Sequence, residues 1–305
     1  MSAAVEDAGA RPSTPSPSPS PGRGATARRP RLRAGRWLGL VPFGLLVLVA
    51  VVGPMLVPFD PTKVVGPSST APGGAHLFGT DSAGMDVFSR TIAATRINLI
   101  IALGTTVIAT AIGVVLGLAI GMNESKSGAA STLARGTARV VDLIEAVPAV
   151  LTGLVIVSFY GSSVLTLTVA MAVILSPIQV RLVRTEVLRV RREAYLDAAR
   201  MAGDSEWRLT LRTVLPNSSW AALENTSVVF AISIILTASL GFIGVGLPVP
   251  AAEWGSMLAR GATDALVSRW WPAAFPTIAL AFAVIAAALA AQTVFGSSRR
   301  SRTGR

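Results

Sequence analysis

Residues 99–122 read LIIALGTTVIATAIGVVLGLAIGM, an apolar stretch without a charged side chain. A helix needs about 20 apolar residues to cross the roughly 30 Å hydrocarbon core of a bilayer, so this stretch is long enough for one crossing. Four more uncharged runs lie on either side of it, at 37–57, 146–180, 225–252 and 270–298. Each of these runs predicts membrane-spanning helix.

The run at 146–180 is too long for one crossing and slightly short for two. We therefore begin its first crossing at Val140 and place a turn at the Gly-Ser-Ser sequence of 161–163. This assignment leaves Asp142 and Glu145 at a membrane boundary. The resulting prediction is an all-α membrane protein with six transmembrane helices.

Composition supports lipid as the main solvent of the chain. The 305 residues are 51% hydrophobic and only 14% charged, with a mean hydropathy of +0.60, values that a soluble domain with a solvated surface does not easily reach. The absence of cysteine excludes disulfides and cysteine metal sites. The first apolar run follows a tail of 36 residues and is longer than the core of a signal peptide, so it is interpreted as a retained anchor.

The distribution of charge predicts the orientation in the membrane. With six crossings and the N-terminus inside, 22 of the 27 Lys and Arg residues fall on the inner side. Positive residues concentrate on the cytoplasmic side of membrane proteins, so both termini are predicted to be cytoplasmic in a multi-pass plasma (inner) membrane protein. The net charge of +11 is then a topological signal, and no nucleic-acid partner is expected.

The chain divides into four predicted regions. Residues 1–36 are rich in Ser, Pro, Gly and Arg and are expected to form a disordered cytoplasmic tail, whose arginines act either as a topology anchor or as a lipid-regulated switch. Residues 37–96 hold the first transmembrane helix and an outer loop, which ends in an amphipathic helix leading into the second crossing. Residues 97–298 form the membrane core, and 299–305 form a basic cytoplasmic tail.

Two inner loops differ in length and pattern. The one at 123–139 is short and polar, whereas 181–222 is too long for a simple turn and has the pattern of two short helices. Gly203 is placed to cap the first helix at its C-terminus. Asp204 or Ser205 is placed to cap the second, which Pro216 is expected to end.

The first of these helices has a smooth face of mostly small side chains, formed by Tyr195, Ala198, Ala199 and Ala202. The charged side chains of Asp197, Arg200 and Arg208 lie beside this face. Such a face fits a groove in another protein. An interfacial helix pair lying on lipid headgroups would use the arginines equally well. The residues alone leave both interpretations open.

Several kinds of chemistry have no residues to carry them. The two lysines, Lys63 and Lys126, are not preceded by the glycine of a phosphate-binding Gly-x-x-x-x-Gly-Lys-Ser/Thr loop. His76 is the only histidine and has no second nitrogen or sulfur ligand nearby in the sequence. No catalytic residue and no metal site is therefore predicted. Carboxylates near the membrane, including Glu224, are interpreted as boundary residues in preference to pathway residues.

The long inner loop resembles a known motif. Asp197-Ala198-Ala199-x-x-x-Gly203, followed by Thr213-x-Leu215-Pro216, is similar to the EAA loop of binding-protein-dependent ABC importer permeases, with Asp197 and Thr213 in place of Glu and Ile. In that family the loop is the coupling helix that docks on an ATPase subunit. The docking residues that the resemblance implies are Tyr195, Asp197, Ala198, Ala199, Arg200, Gly203, Leu215 and Pro216.

Two outer stretches narrow the resemblance. Residues 76–90 (HLFGTDSAGMDVFSR) and the segments 240–248 (LGFIGVGLP) and 253–258 (EWGSML) resemble sequences of the second, C-type permease of dipeptide, oligopeptide and nickel importers. The C-terminal end and Thr237 depart from the family pattern. The outer motif residues, expected to face a solute-binding protein, are Gly79, Thr80, Asp81, Glu253, Trp254 and Gly255.

The resemblance implies a type I ABC importer transmembrane domain that forms half of a translocation pathway for di- or oligopeptides, or for nickel chelates. The implied partners are a homologous permease in a heterodimer, two ATPase subunits or domains, an extracytoplasmic solute-binding protein and the lipid bilayer. This chain would be non-catalytic and without a cofactor, because ATP and Mg are bound by the partner ATPase. The alternatives are an ion-coupled secondary transporter or channel acting without an ATPase, and a membrane scaffold.

Overall fold

The computed structural model describes residues 38–124 and 127–302, with side chains as far as Phe295. The predicted disordered tail at 1–36 lies outside the described residues. The regular structure of the described part is helical, apart from two isolated β-bridges in the loop 57–86. Its α-helices are α1 Val41–Leu56, α2 Val87–Asn123, α3 Ala129–Ala146, α4 Ala149–Tyr160, α5 Val164–Val190, α6 Ala194–Met201, α7 Glu206–Leu209, α8 Leu215–Ile243, α9 Trp254–Ala265 and α10 Trp271–Arg302.

Five helical segments of the described part are long and apolar enough to cross a membrane. They are α1 with the 3₁₀ turn before it, α2, α5, the continuous α7–α8 segment at Glu206–Ile243, and α10. The pair α3 and α4 provides a sixth crossing when it is counted as one bent span. The all-α membrane fold predicted from the apolar runs is confirmed.

The third crossing was expected to be one helix from Val140 to the turn at 161–163, and the structure differs from this expectation. The axes of α3 and α4 meet at 93°, because Pro148 lacks a backbone N–H and disfavours helical geometry in the residue before it. Val147 is accordingly extended, with φ −81° and ψ 131°. Since α3 starts at Ala129, the prediction of a short loop over 123–139 is wrong. The turn at 161–163 is confirmed, with Gly161 at φ +78° and Ser163 capping α5.

Glycines on α2 allow close packing of this helix against α5. A Cβ atom on Gly117 would lie 2.7 Å from the carbonyl oxygen of Val180 and 2.7 Å from Cβ of Val183, and one on Gly121 would lie 2.6 Å from Cγ1 of Val187. Small residues permit such approach between membrane helices. Gly117 and Gly121 are therefore packing residues between α2 and α5.

A buried amide ties three spans together. The Gln179 side chain on α5 is fully buried and donates from Nε2 to Thr110 Oγ1 on α2, at 3.0 Å, and to the carbonyl oxygen of Ala222 on α8, at 3.2 Å. Asn225 Nδ2 donates to Gln179 Oε1 at 3.3 Å. Polar bonds of this kind stabilise helix contacts in lipid, so α2, α5 and α8 form the centre of the bundle.

The two ends of this bundle carry different structures. We call the end that holds α6 and α7 the coupling end, and the end that holds the loop 57–86 and α9 the distal end. Because α8 begins at the first and finishes at the second, the two ends lie on opposite sides of the membrane that α8 crosses.

Candidate coupling site

The helix α6 ends in a tight glycine turn. Gly203 has φ +92°, its N–H donates to the carbonyl oxygen of Arg200 at 3.0 Å, and the N–H of Asp204 donates to that of Ala199 at 3.1 Å. This pair of bonds is a Schellman motif, which requires a left-handed residue and therefore favours glycine. The capping role predicted for Gly203 is confirmed, and the cap of α7 is Ser205, whose side chain accepts from the N–H of Arg208.

Pro216 has a different role from the one expected. The prediction that it ends the second helix is wrong, because α7 continues through a π turn at Thr210–Val214 into α8. The N–H of Leu215 donates to the carbonyl oxygen of Thr210, five residues back, and Pro216 then falls in the first turn of α8, where its missing N–H costs little. The coupling loop is thereby joined without a break to a membrane span.

One leucine on α6 anchors this helix to the bundle. Leu196 is 0% exposed and belongs to a buried cluster with Leu209 and with side chains from α2, α5 and α8. The other buried members of the cluster are Met122, Val183, Val187, Val190, Val214 and Ala222. Leu196 was not among the residues predicted from the sequence, although it is the one leucine of α6, among alanines, polar residues and a single methionine. A lone leucine in such a helix is a signal of a buried side.

The side of α6 opposite Leu196 is open to solvent. It is formed by Ala194, Asp197, Ala198, Met201 and Ala202, and we call it the coupling face. Asp197 supplies its only carboxylate, with a side chain 69% exposed. Tyr195 borders the face, whereas Ala199 is half-buried against the anchoring cluster. The face is therefore rotated away from Ala199 compared with the face expected from the sequence.

Two arginines expected to reach out from the loop are paired within it. Arg200 donates from Nη1 to Asp197 Oδ1 at 2.8 Å and from Nε to Glu206 Oε1 at 2.7 Å, and the bond to Glu206 is the main reason that the pKa of Arg200 is raised. Arg208 pairs with Asp204 at 3.4 Å. These pairs link α6 to α7 and orient Asp197 on the coupling face.

A second pair of arginines holds the base of the loop. Arg191 Nη1 donates to the carbonyl oxygens of Gly121 and Met122, at 3.0 Å each. Arg184 makes a two-bond contact with Glu124, with Nε–Oε2 at 2.7 Å and Nη2–Oε1 at 2.6 Å. Bidentate guanidinium contacts of this type fix geometry as well as charge. The ends of α2 and α5 are therefore clamped where α6 begins.

The docking residues predicted from the motif form two groups. Tyr195, Asp197, Ala198 and Arg200 lie on α6, and Gly203 caps it. Leu215 and Pro216 lie in the first turn of α8. The first group presents the surface, and the second connects the loop to a membrane helix.

At the distal end, the first outer motif folds the loop 57–86. Thr80 is fully buried, and its Oγ1 donates to the carbonyl oxygen of Pro67 at 2.6 Å. Asp81 Oδ1 accepts from the N–H groups of Ala83 and Met85, at 3.0 and 2.9 Å. Gly79, at φ +73°, lies under the indole of Trp271. These residues have their partners within the chain.

The second outer motif is also internal. Glu253 is fully buried and caps α9, accepting from the N–H groups of Gly255 at 2.6 Å and Ser256 at 2.8 Å; burial raises the pKa of its carboxyl group. Trp254 is buried and donates from Nε1 to the carbonyl oxygen of Thr91 at 3.1 Å. The expectation that the side chains of Gly79–Asp81 and Glu253–Gly255 face a solute-binding protein is corrected, because they pack inside the distal end.

Comparison with known proteins decides what this architecture represents. The model of the family described as "binding-protein-dependent transport system inner membrane component" matches residues 113–300. The chain belongs to this family. Its matched part includes the coupling loop, α8 and both segments of the second outer motif, and the fold is that of the type I ABC importer transmembrane domain.

Related proteins extend the similarity to most of the chain. A Brucella suis biovar 1 protein named as a peptide transport system permease is 35% identical over 86% of this chain and 86% of its own length. A di/tripeptide transport system permease protein of Pseudomonas aeruginosa is 33% identical over 81% of this chain and 82% of its own length. An Escherichia coli K12 protein named for D,D-dipeptide transport is 32% identical over 77% of each. The chain is thus a multi-pass inner-membrane permease subunit of a binding-protein-dependent transport system.

Proposed function

We propose that this chain forms half of the translocation pathway of an ATP-driven importer for peptide-like solutes and receives energy through the coupling face. Its partners in this proposal are a homologous permease in a heterodimer, two ATPase subunits or domains, and an extracytoplasmic solute-binding protein. The chain itself is non-catalytic, since ATP and Mg are bound and used by the ATPases. Both termini and the coupling end are cytoplasmic.

The observation that carries the proposal is the way in which the helix that bears the coupling face is attached to the membrane helices. An eight-residue helix exposes alanines, Met201 and Asp197 on one side, and Leu196 holds its other side against the bundle. The second helix of the loop runs on into α8. A displacement of α6 by an ATPase is therefore passed to a membrane-spanning helix through packed side chains, and not through a flexible connection.

The substrate class rests on the relatives. The three described above are named for peptide, di/tripeptide and D,D-dipeptide transport, which supports a peptide-like solute. Selection among peptides, or between peptides and nickel chelates, belongs in this proposal largely to the solute-binding protein.

Affinity purification from detergent-solubilised membranes tests the docking role. The wild-type chain is expected to retain an ATPase, identified by mass spectrometry, and Asp197→Arg and Ala198→Trp are expected to lose it, because they place a reversed charge or a large ring on the coupling face. Asp60→Arg is the matched control, since it makes the same charge change on an exposed side chain at the distal end. Equal ATPase recovery from all four proteins would contradict the assignment of the coupling face.

Transport itself is tested in proteoliposomes. Peptide uptake is expected to require ATP, the ATPases and the solute-binding protein together. Uptake by this chain alone, driven by an ion gradient, would instead establish the ion-coupled transporter.

A further inference from the structure

A cavity of about 480 Å³ lies at the distal end of the bundle. Its walls come from the outer turn after α4, from the loop that joins α8 to α9, and from one side of α9. The lining includes Ser162, Val245, Leu247, Val249, Ser256 and Arg260. A volume of this size lies in the range of small-ligand sites.

The loop that forms one wall is preorganised. Gly244 ends α8 with φ +100°, and its N–H donates to the carbonyl oxygen of Gly241 at 3.1 Å. Ser162 Oγ donates to the carbonyl oxygen of Gly246 at 2.6 Å, which ties this loop to the turn after α4. A Cβ atom on Gly246 would lie 3.0 Å from Glu253 Oε2. The wall is held by hydrogen bonds to α8 and to the turn after α4, and it packs closely against Glu253.

Arg260 supplies the cationic group of the cavity. Its Nη2 atom is buried and has no hydrogen-bond partner among the described residues. The nearby carboxylate of Glu253 is occupied by the N–H groups at the start of α9 and forms no ion pair with Arg260 in the described part of the chain. A buried guanidinium N–H without an acceptor is costly, and its usual complement is a carboxylate or a phosphate.

The other guanidinium nearby, that of Arg90, has acceptors for both terminal nitrogens. Its Nε has no hydrogen-bond partner among the described residues and lies 3.9 Å from Asp81 Oδ2. Arg90 donates from Nη1 to the carbonyl oxygens of Pro61 and Pro250, at 2.7 and 3.2 Å, and from Nη2 to that of Ala251 at 3.2 Å. Its charge adds to that of Arg260 without competing for an incoming anion. Among the described residues that line the cavity, Arg260 Nη2 is therefore a donor in need of an acceptor.

We propose that Arg260 binds the carboxylate of a solute in transit, while Val245, Leu247 and Val249 contact the apolar side chain next to that carboxylate. This inference rests on the proposed import of peptide-like solutes and assigns one end of the peptide to a site on this chain. The ligand class is a short peptide with a free C-terminal carboxylate and a small apolar last residue. The site is at the distal end, where a solute enters in the proposed direction of transport.

Uptake measurements on the assembled importer test this assignment. The importer, with its permease partner, ATPases and solute-binding protein, takes up trialanine or trialanine amide, each at a concentration that saturates the solute-binding protein. Arg260→Gln is expected to lower trialanine uptake about tenfold, the effect of losing a charged hydrogen bond, and to leave amide uptake unchanged. Arg260→Lys keeps the positive charge but lacks the planar guanidinium group. Its rate of trialanine uptake is expected to lie between those of Arg260→Gln and wild type.

Arg269→Gln is the matched control. Arg269 is an exposed arginine at the same end, bonded to Ser69 Oγ at 2.9 Å, and its replacement is expected to leave the ratio of trialanine to amide uptake as in wild type. A second measurement uses trialanine with a diazirine in its last side chain. Irradiation during turnover is expected to attach this probe to residues 244–249 in wild type and not in Arg260→Gln.

The outcomes separate this inference from the proposed function. Wild-type importer that takes up no peptide refutes the proposed function, and the carboxylate site with it. Normal wild-type uptake combined with an equal loss for acid and amide in Arg260→Gln, or with an unchanged probe pattern, refutes the carboxylate site alone. Loss of the permease partner or the solute-binding protein from Arg260→Gln would show that the carboxylate bound by Arg260 belongs to a protein partner, and would also overturn the assignment.

Discussion

Replacing Leu196 with alanine is expected to release α6 from the membrane helices. Leu196 is 0% exposed and packs against residues of α2, α5 and α8. Truncation of a buried leucine costs about 2–5 kcal/mol. An isolated helix of eight residues is not stable in water, so this cost falls on the attachment of α6 to the bundle.

The expected magnitude is large enough to measure locally. A loss of about 3 kcal/mol corresponds to a roughly 100-fold increase in the population of detached α6. Amide hydrogen exchange reports such local opening, so the protection of residues 194–202 is expected to fall by about that factor. In the assembled importer, ATP hydrolysis is expected to continue while peptide uptake falls, because docking no longer moves α8.

Met201→Ala is the matched control for hydrogen exchange in the chain without its ATPase, because Met201 lies on the same helix and is 84% exposed. Its exchange protection is expected to stay within about twofold of wild type, since exposed substitutions rarely change stability by more than about 0.5 kcal/mol. Unchanged protection of α6 in Leu196→Ala would show that another contact holds the helix and would refute the anchoring role. Full protection with lost uptake would place the effect of Leu196 elsewhere in the transport cycle.

Three further outcomes are expected. Gly117→Ala should lower the thermal unfolding temperature in detergent, at a cost of about 1–3 kcal/mol, because its Cβ would press on Val183. Gly136→Ala is the control and should leave this temperature unchanged, because there is open space around Gly136. Equal effects of the two substitutions would refute close packing at Gly117. Gly203→Ala should reduce exchange protection of α6 by about 1–2 kcal/mol, because its φ is +92°, and unchanged protection would contradict a strained cap. Burial raises the pKa of the Glu253 carboxyl group in the folded state. The stabilisation that this group contributes is therefore fully present below its pKa in the unfolded chain, and it is lost as the pH rises through its pKa in the folded chain. Glu253→Gln should therefore gain stability relative to wild type between pH 4 and pH 8 in thermal unfolding, and a constant difference over that range would refute the raised pKa.

The crossings and the coupling motif follow from local sequence. Apolar length alone identified the runs that become α1, α2, α5, α8 and α10, because the thickness of the bilayer sets the length of a spanning helix. The Gly203 cap was equally predictable, since few residues other than glycine adopt a left-handed turn. The bend at Pro148 was not predicted, although proline was visible there, because a proline in a membrane span is compatible with either a mild kink or a complete break.

The outer motifs show the limit of a sequence pattern. Thr80, Asp81, Glu253 and Trp254 were expected to face a binding protein, and all four are buried. A motif identifies residues that matter without stating whether they touch a partner or hold the fold. Only the packing of α9 against α2 decides this question, through bonds such as that from Trp254 to the carbonyl oxygen of Thr91.

By itself, the sequence determined the membrane class, the approximate crossings, the family resemblance and the position of the coupling loop, because each depends on residues close together in the chain. The tertiary structure alone decided that Leu196 anchors α6 and that Arg260 has a donor without a partner among the described residues. The first property depends on contacts between helices far apart in the sequence, and the second on the absence of an acceptor from any of them. Burial and pairing are set by which side chains meet after folding, and local patterns do not contain that information.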